Sequence, residues 1–528
     1  MNLSGGRVRF VYLRVFETAS VPLVHAPFAM QVPSLEPYFE PFRRQIVGQD
    51  QHFQTPYGRR RILYADWTAS GRLYAPIEET LAERFGPFVG NTHTETSVTG
   101  TSMTRAYQYA RQRIKDHVNA APDDVLITAC SGMTRVINKL QRILGLRIPE
   151  QAHRYFTLPE AERPVVFITH MEHHSNHTSW LETIADVEWL PPDERGLVEP
   201  AHLAEALAKY HDRVLKIGAF TACSNVTGIQ APYYDLARLM HRHGGYCFVD
   251  FAASGPYVDI DMHPADPEAR LDAIYFSPHK FLGGPGSAAV LIFNAALYKN
   301  RVPDLPGGGT VNWTNPWGEH SYIDDIELRE DGGTPAFLQT IKTALAVRLK
   351  EAMGTDKMLA REHALLTRAL PALRRIPGLH LLADHIEDRL GIVSFYVDDI
   401  HYNLLVRLLN DRFGIQVRGG CSCAGTYGHY LLHVSYAHSH RITDMIEHGD
   451  LSAKPGWVRL SLHPTMTDAE LDYTLDAIAE TVANIEAWSR DYHYDKLTNE
   501  FSHREVEDPV EAMVEQWFDV PTLVPQGM

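Results

Sequence analysis

The chain has 528 residues, 45% of them hydrophobic, which is enough for a large core in two domains or in one large domain with a satellite. Its formal net charge of −16 argues against nucleic acid as the main partner. Five cysteines, at 130, 223, 247, 421 and 423, are too few and too irregularly spaced for a disulfide framework, which points to a reducing, cytoplasmic compartment. With no run of about 18 apolar residues, no membrane span is expected.

Residues 1–40 read as an N-terminal extension, expected to be disordered; its apolar patch Val21–Met30 is interrupted by Pro22 and Pro27 and lacks a signal-peptide core. From Ile62 the pattern sharpens. ILYADWTASGRLY (62–74) is a short strand and a polar, glycine-containing turn. Pro76–Phe85 reads as a helix, 91–100 as a polar loop, and Arg105–Val118 as a further helix. Val125–Thr128 is a strand, followed by a small-residue turn and a helix starting near Met133. Amides at such a helix start favour phosphate, though an ordinary N-cap looks the same. The alternation continues through VVFITH (165–170), VLKIGAFTACS (214–224), a helix over 231–243 and the strand Tyr246–Val249. Such repetition predicts an α/β fold, a mostly parallel sheet covered by helices on both faces.

Asp250 falls at the C-terminal end of its strand, where open α/β sheets bind ligands. Alone, such an aspartate is more often a turn or cap residue. The stretch 273–293 is an apolar strand, a tight turn carrying His279 and Lys280, and a second apolar strand. A lysine between two core-grade strands is unusual, because its amine is rarely buried without a task. Gly283, Gly284, Gly286 and Ser287 leave room for a bulky group against the backbone. A desolvated lysine amine is nucleophilic, and with a carboxylate that keeps a pyridinium nitrogen protonated it forms the minimal apparatus for pyridoxal phosphate. The competing reading, a surface lysine on a hairpin, is the weaker one beside Asp250.

Three other clusters bear on chemistry. HMEHHSNH holds His170, His173, His174 and His177, but without an HExxH helix or matching cysteines no metal site is predicted. One imidazole stacked on a cofactor ring fits better. The glycine runs at 283–287 and 307–309 lack the ending of a nucleotide P-loop. VRGGCSCAG (417–425) places Cys421 and Cys423 beside Arg418; a cysteine on a mobile, arginine-flanked loop suits a low-pKa nucleophile, whereas a small buried cysteine is the plainer reading of Cys421. Beyond DGGTPAF (331–337) the composition changes. A long helical stretch from Phe337 to about Arg375 reads as a connector, followed by short strands, a 402–411 helix and a final helix from Asp468 to about Trp488. The expected organisation is a large cofactor-binding α/β domain with its leading segment (41–345), a smaller α+β domain (346–490) and an acidic tail (491–528).

In order, YADWTASG, SGMTRVIN, MEHHSNHTSW, SNVTG, VDFAAS, SPHKFLGG, GGGT, DGGTP, VRGGCSCAG and WVRLSLH resemble the class V aminotransferase family of fold-type I pyridoxal-phosphate enzymes over roughly residues 60–485. Within it they look most like the cysteine desulfurase and selenocysteine lyase branch. The resemblance implies that Lys280 forms the Schiff base and shuttles the α-proton, that Asp250 pairs with the pyridine nitrogen, and that His173 stacks on the ring. It assigns Gly132, Met133, Thr134, Ser277 and His279 to the phosphate, and Thr334 to the phosphate of a neighbouring protomer, hence a homodimer with shared sites. It assigns Asn225, Arg418 and Arg459 to the substrate carboxylate, with His93 in a loop lining the site, and Cys423 to the persulfide. The implied reaction converts L-cysteine to L-alanine and leaves room for a sulfur-acceptor protein.

Four departures stand out. Ala253 replaces a glutamine that bonds the ring oxygen, Met133 replaces a common threonine, Tyr427–Lys454 is insertion-like, and Cys421 is extra, either relaying sulfur or idle. Another class V reaction (an aminotransferase, an epimerase or a C–S or C–Se lyase) needs Lys280 and Asp250 but not Cys423. A non-catalytic binding module has little reason to keep the complete lysine, aspartate and histidine set.

Overall fold

The computed structural model describes residues 34–129 and 132–519; of the expectations above, Cys130, nearly all of the N-terminal extension and the last nine residues lie outside them. The compact unit that starts at Leu35 is built around a seven-stranded sheet. Its strands are β1 (Asp124–Ala129), β2 (Val165–Thr169), β3 (Asp186–Leu190), β4 (Lys216–Thr221), β5 (Tyr246–Asp250), β6 (Ala273–Phe276) and β7 (Ala289–Asn294). Their spatial order is β1-β7-β6-β5-β4-β2-β3. β2 to β6 run parallel, and β7 lies antiparallel to both β6 and β1.

Strand side chains alternate between two apolar layers, as a period of two requires. Val165 and Phe167, Cys247 and Val249, Ile274 and Phe276 point into one core, which the helices Val98–His117, Pro200–Lys209, Tyr233–Arg242 and Phe337–Met353 cover. Val166 and Ile168, Phe248, Ala273 and Tyr275 point into the other, which the helix Gly132–Ile143 covers with Met133, Val136, Ile137 and Leu140. Both faces are buried, which is why these strands read as continuous apolar runs.

A second, antiparallel sheet has the order β8-β9-β11-β10, from β8 (Leu379–Leu381), β9 (Ile392–Val397), β10 (Arg418–Gly420) and β11 (Trp457–Ser461). The helical connector consists of two helices: Gly354, at φ +77°, separates Phe337–Met353 from Thr355–Leu373. Leu63–Tyr64 pairs in parallel with Ile415–Gln416, so the polar turn after Tyr64 reaches the end of β10. Across the end of the expected N-terminal extension, Glu36–Arg43 is a helix with Phe39 buried. Within the expected tail, Tyr492–Asp495 and Glu500–His503 form a hairpin whose buried Tyr492 donates to Asp411 (2.8 Å). Tyr427–Lys454 folds largely as the helices Gly425–Leu431 and Tyr436–Glu447. No helix among the described residues is long and apolar enough to cross a membrane.

Candidate active site

The C-terminal ends of β4, β5 and β6 open into a cavity of about 610 Å3. At the end of β5, Asp250 is buried, and its Oδ1 accepts the Ala252 amide (2.8 Å). Desolvation raises its pKa to about 6, against the pull of that amide and of the Lys280 charge. At the end of β6 the chain turns through Pro278–Lys280 and presents the Lys280 amine to the cavity. Burial lowers that pKa to about 8, while Asp250 works in the opposite direction. The turn is clasped by the motif at 64–71. The Gly71 amide donates to the His279 carbonyl (2.9 Å), and a Cβ on Gly71 would lie 2.0 Å from the Phe281 carbonyl oxygen. No other residue fits there.

The start of the helix Gly132–Ile143 faces the same turn. The Met133 amide donates to Ser277 Oγ (2.9 Å), and the hydroxyls of Thr134 and Ser175 are 2.6 Å apart. Gly132 has φ +67°, and a Cβ there would point between Ser277 Oγ (3.7 Å) and His279 Nε2 (3.8 Å). The missing side chain leaves a cradle of helix amides, hydroxyls and an imidazole, which suits a phosphate. A buried carboxylate, a desolvated lysine and this cradle on one cavity fit pyridoxal phosphate. Ala252 and Ala253 add no polar side chain to the wall.

Of the four clustered histidines, His173 lines the cavity. Its Nδ1 accepts the Ser175 amide (3.1 Å), capping the helix His174–Leu181 and requiring an unprotonated Nδ1. Burial, then Lys280, lowers its pKa to about 3. His170 bonds the Gly196 carbonyl and His177 packs on Trp189. Among the described residues no group of three or more histidine, cysteine or acidic side chains is placed to hold a metal. Beneath this layer, Glu172 is buried. Its carboxylate accepts the Thr169 hydroxyl (2.7 Å), the Thr221 amide (2.9 Å) and the Asn176 amide (2.8 Å). Asn176 in turn accepts the Tyr275 hydroxyl (2.6 Å). Desolvation raises the Glu172 pKa to about 7.

Arg418 and Arg459 meet across the pairing of β10 with β11. Asp66, which sequence reasoning missed, holds both: Oδ2 accepts from Arg418 (2.9 Å) and Oδ1 from Arg459 (2.9 Å). Arg459 is 3% exposed, and its Nε has no partner among the described residues. Its Nη1 donates to the Asn225 carbonyl (3.2 Å). The Asn225 side chain is occupied on one side, donating to the Ser422 carbonyl (2.7 Å), while its Oδ1 has no partner among the described residues.

Cys423 lines the cavity and is exposed, within electrostatic reach of Lys280 and Arg418. The turn that carries Cys423 is tied to its surroundings by hydrogen bonds. The His174 amide donates to the Cys423 carbonyl (2.8 Å), the Gly425 amide donates to His174 Nε2 (2.9 Å), and Ser422 is held by Asn225. Ser422 and Cys423 adopt left-handed backbone, φ +52° and +56°, and the helix Gly425–Leu431 follows directly. These contacts hold the backbone of the turn on either side of the thiol. His93 and Thr334 do not line this cavity. His93 Nε2 is 3.6 Å from the place a Gly309 Cβ would take, and the same place is 3.8 Å from the carbonyl oxygen of Gly333, the residue before Thr334.

A family model described as "Aminotransferase class-V" matches residues 63–474. A probable cysteine desulfurase of Halalkalibacterium halodurans is 29% identical over 367 residues, 69% of this chain and 84% of that protein. One of Streptomyces coelicolor is 26% identical over 370 residues, with the same two coverages of 69% and 84%. Among solved structures, a cysteine desulfurase from Thermococcus onnurineus NA1 superposes with a TM-score of 0.66 at 21% identity, covering 86% of this chain and 99% of its own. One from Escherichia coli gives 0.64 at 22% identity, covering 84% and 98%. The structural likeness shows the fold, fold-type I, and the matched span takes in Lys280, Asp250 and the pinned cysteine turn: the chain belongs to the aminotransferase class-V family.

Proposed function

We propose that this protein is a pyridoxal-phosphate-dependent cysteine desulfurase that moves the sulfur of L-cysteine onto Cys423 and releases L-alanine. The observation that carries the reading is one cavity holding Lys280, Asp250, His173, the two arginines and Cys423. Asp250 would hold the pyridine nitrogen, His173 the ring face, and Gly132, Met133, Thr134, Ser277 and His279 the phosphate. When bound, the cofactor supplies an electron sink for the electrons left at the substrate α-carbon.

The chain's own residues do the rest. Lys280, with a pKa near 8, exists partly as the free amine at neutral pH, so its Nζ can take the α-proton and return it. Arg418 and Arg459 against Asp66 leave one surplus positive charge, which suits a single substrate carboxylate. Asn225 Oδ1, without a partner among the described residues, suits a donor on the substrate or cofactor. The Cys423 thiolate attacks the substrate sulfur: an S–S bond forms, the Cβ–S bond breaks, and Cβ takes up a proton to give L-alanine. Atoms and electrons balance without an added oxidant.

That neither His93 nor Thr334 lines this chain's own cavity supports a homodimer in which they complete the partner's site. An exposed Cys423 supports a sulfur-acceptor protein as partner. Free thiols at all four described cysteines support a cytoplasmic setting. The test is alanine release from L-cysteine by cofactor-loaded protein. Cys423→Ser should abolish sulfur transfer and leave the cofactor absorbance intact. Undiminished sulfur transfer in that variant would move the protein to a class V reaction that does not use Cys423.

A further inference from the structure

We propose that Glu172 is a positioning residue: with Asn176 and Tyr275 it ties the ends of β2, β4 and β6 together around Asp250, and so fixes how that carboxylate meets the cofactor ring. The inference rests on the pyridoxal-phosphate reading above. None of the three tying residues lines the cavity, so they act through Asp250.

The tie begins where two strands part. β2 and β4 pair at Val165–Lys216, Val166–Ile217 and Phe167–Gly218, and the register stops there. Beyond that point the Glu172 carboxylate takes the place of the ladder: its Oε1 accepts both the Thr169 amide (3.3 Å) and the Thr221 amide (2.9 Å). Its Oε2 accepts from Asn176 (2.8 Å), whose Nδ2 also donates to the Ala219 carbonyl of β4 (3.1 Å). Asn176 Oδ1 then accepts the Tyr275 hydroxyl of β6 (2.6 Å). Three amide donors converge on the Glu172 carboxyl, which favours its ionised form.

Asp250 sits inside this tie. On β5 it lies in register between Thr221 of β4 and Tyr275 of β6. A period of two puts its side chain on the sheet face of Phe248. Phe248 and Tyr275 share their apolar layer with Trp180, which lies on the same helix as Asn176. Asp250 accepts one hydrogen bond among the described residues, from the Ala252 amide, so its aim depends on how the neighbouring strands are held. Its charge reaches both ends of the tie, raising the pKa of Glu172 and of Tyr275 after the larger effect of burial.

A second anion behind Asp250 also strengthens the hold on a ring proton. The other titratable groups around the two carboxylates are Lys280 on the turn after β6, His173 next to Glu172 in the chain, and Tyr275. Burial keeps His173 and Tyr275 uncharged, which leaves Lys280 as the opposing charge.

Two variants cut the tie at opposite ends. Glu172→Gln removes the charge and sets an amide donor against the Asn176 amide, whereas Tyr275→Phe keeps the charge and removes the far bond. Each protein is titrated with pyridoxal phosphate, with urea unfolding run alongside to separate binding from stability. Each change should weaken cofactor binding about tenfold. The double variant should bind no more weakly than the weaker single variant, since one cut already opens the tie. Wild-type affinity in either single variant, or losses that multiply in the double variant, would overturn the proposal. A merely structural role would not move a second readout, the nitrogen NMR resonance of ring-labelled pyridoxal phosphate at saturating load. Followed between about pH 6 and 10, the ring nitrogen in Glu172→Gln should lose its proton at lower pH than in the wild type. Identical curves would overturn the role of Glu172. A wild-type protein that takes up no pyridoxal phosphate would instead overturn the underlying reading.

Discussion

Asp66→Asn is the most informative single change, because it keeps the shape of the side chain and removes the countercharge of two arginines. The two arms are unequal. The Arg418 side chain is 51% exposed, so its 2.9 Å pair with Asp66 is screened and contributes at most about 1 kcal/mol. The Arg459 side chain is 3% exposed, and Asp66 is its only carboxylate partner among the described residues. Removing one member of a buried pair leaves an uncompensated charge, which costs about 3–5 kcal/mol. Asp66→Asn should therefore destabilise the protein by about 3–5 kcal/mol in equilibrium urea unfolding. The same change in an Arg459→Met background should cost about 1 kcal/mol or less, since the buried charge is then gone. The KM for L-cysteine should rise at least about tenfold, as the guanidinium groups lose the anchor that aims them. A loss below about 1 kcal/mol with an unchanged KM would refute the view that Asp66 organises the carboxylate site.

Three further outcomes follow from the geometry. With its pKa near 8, Lys280 of the cofactor-free protein, where no Schiff base occupies the amine, should be modified by a reductive methylation reagent with a midpoint near pH 8 rather than 10.5, and at pH 7.5 about a quarter of it should be neutral. Because the unfolded chain binds the Lys280 proton more tightly, this residue's contribution should make stability rise between pH 8 and 10.5; a methylation midpoint above 10 would contradict both statements. Gly132→Ala combines a strained φ of +67°, costing about 1–2 kcal/mol, with a methyl group in the phosphate cradle. It should weaken cofactor binding about tenfold or more by absorbance titration, and unchanged affinity would rule out the cradle. His174→Ala removes the acceptor of the Gly425 amide, and Cys423 should then react faster with iodoacetamide; an unchanged rate would show that other contacts pin the turn.

Lys280 and Asp250 were legible from sequence because each sits at the end of its own apolar strand, and the sheet supplies the rest. The helix start at Gly132 and the turn at Ser277–Lys280 were likewise local signals. Asp66 was not, since its partners lie 352 and 393 residues away and only the pairing of Leu63–Tyr64 with Ile415–Gln416 brings them together. Two arginines assigned to one substrate carboxylate were the available hint, because a buried guanidinium needs a countercharge. The hydrogen bonds around Cys423 were not legible for the same reason: His174, 251 residues from Gly425, supplies one of them. Glu172 was hidden inside a histidine cluster that drew attention to metal chemistry. The break at Gly354 shows the converse limit, since helical periodicity on both sides masks one left-handed residue.

The central claim is that the sulfur of L-cysteine ends on Cys423. The direct measurement is the mass of the peptide carrying residue 423 after L-cysteine is added to cofactor-loaded Cys421→Ser protein, where no second thiol shares the turn. The account predicts a gain of one sulfur atom on that peptide, matched by one alanine per protomer. Alanine formed with no sulfur gained on Cys423 would contradict it.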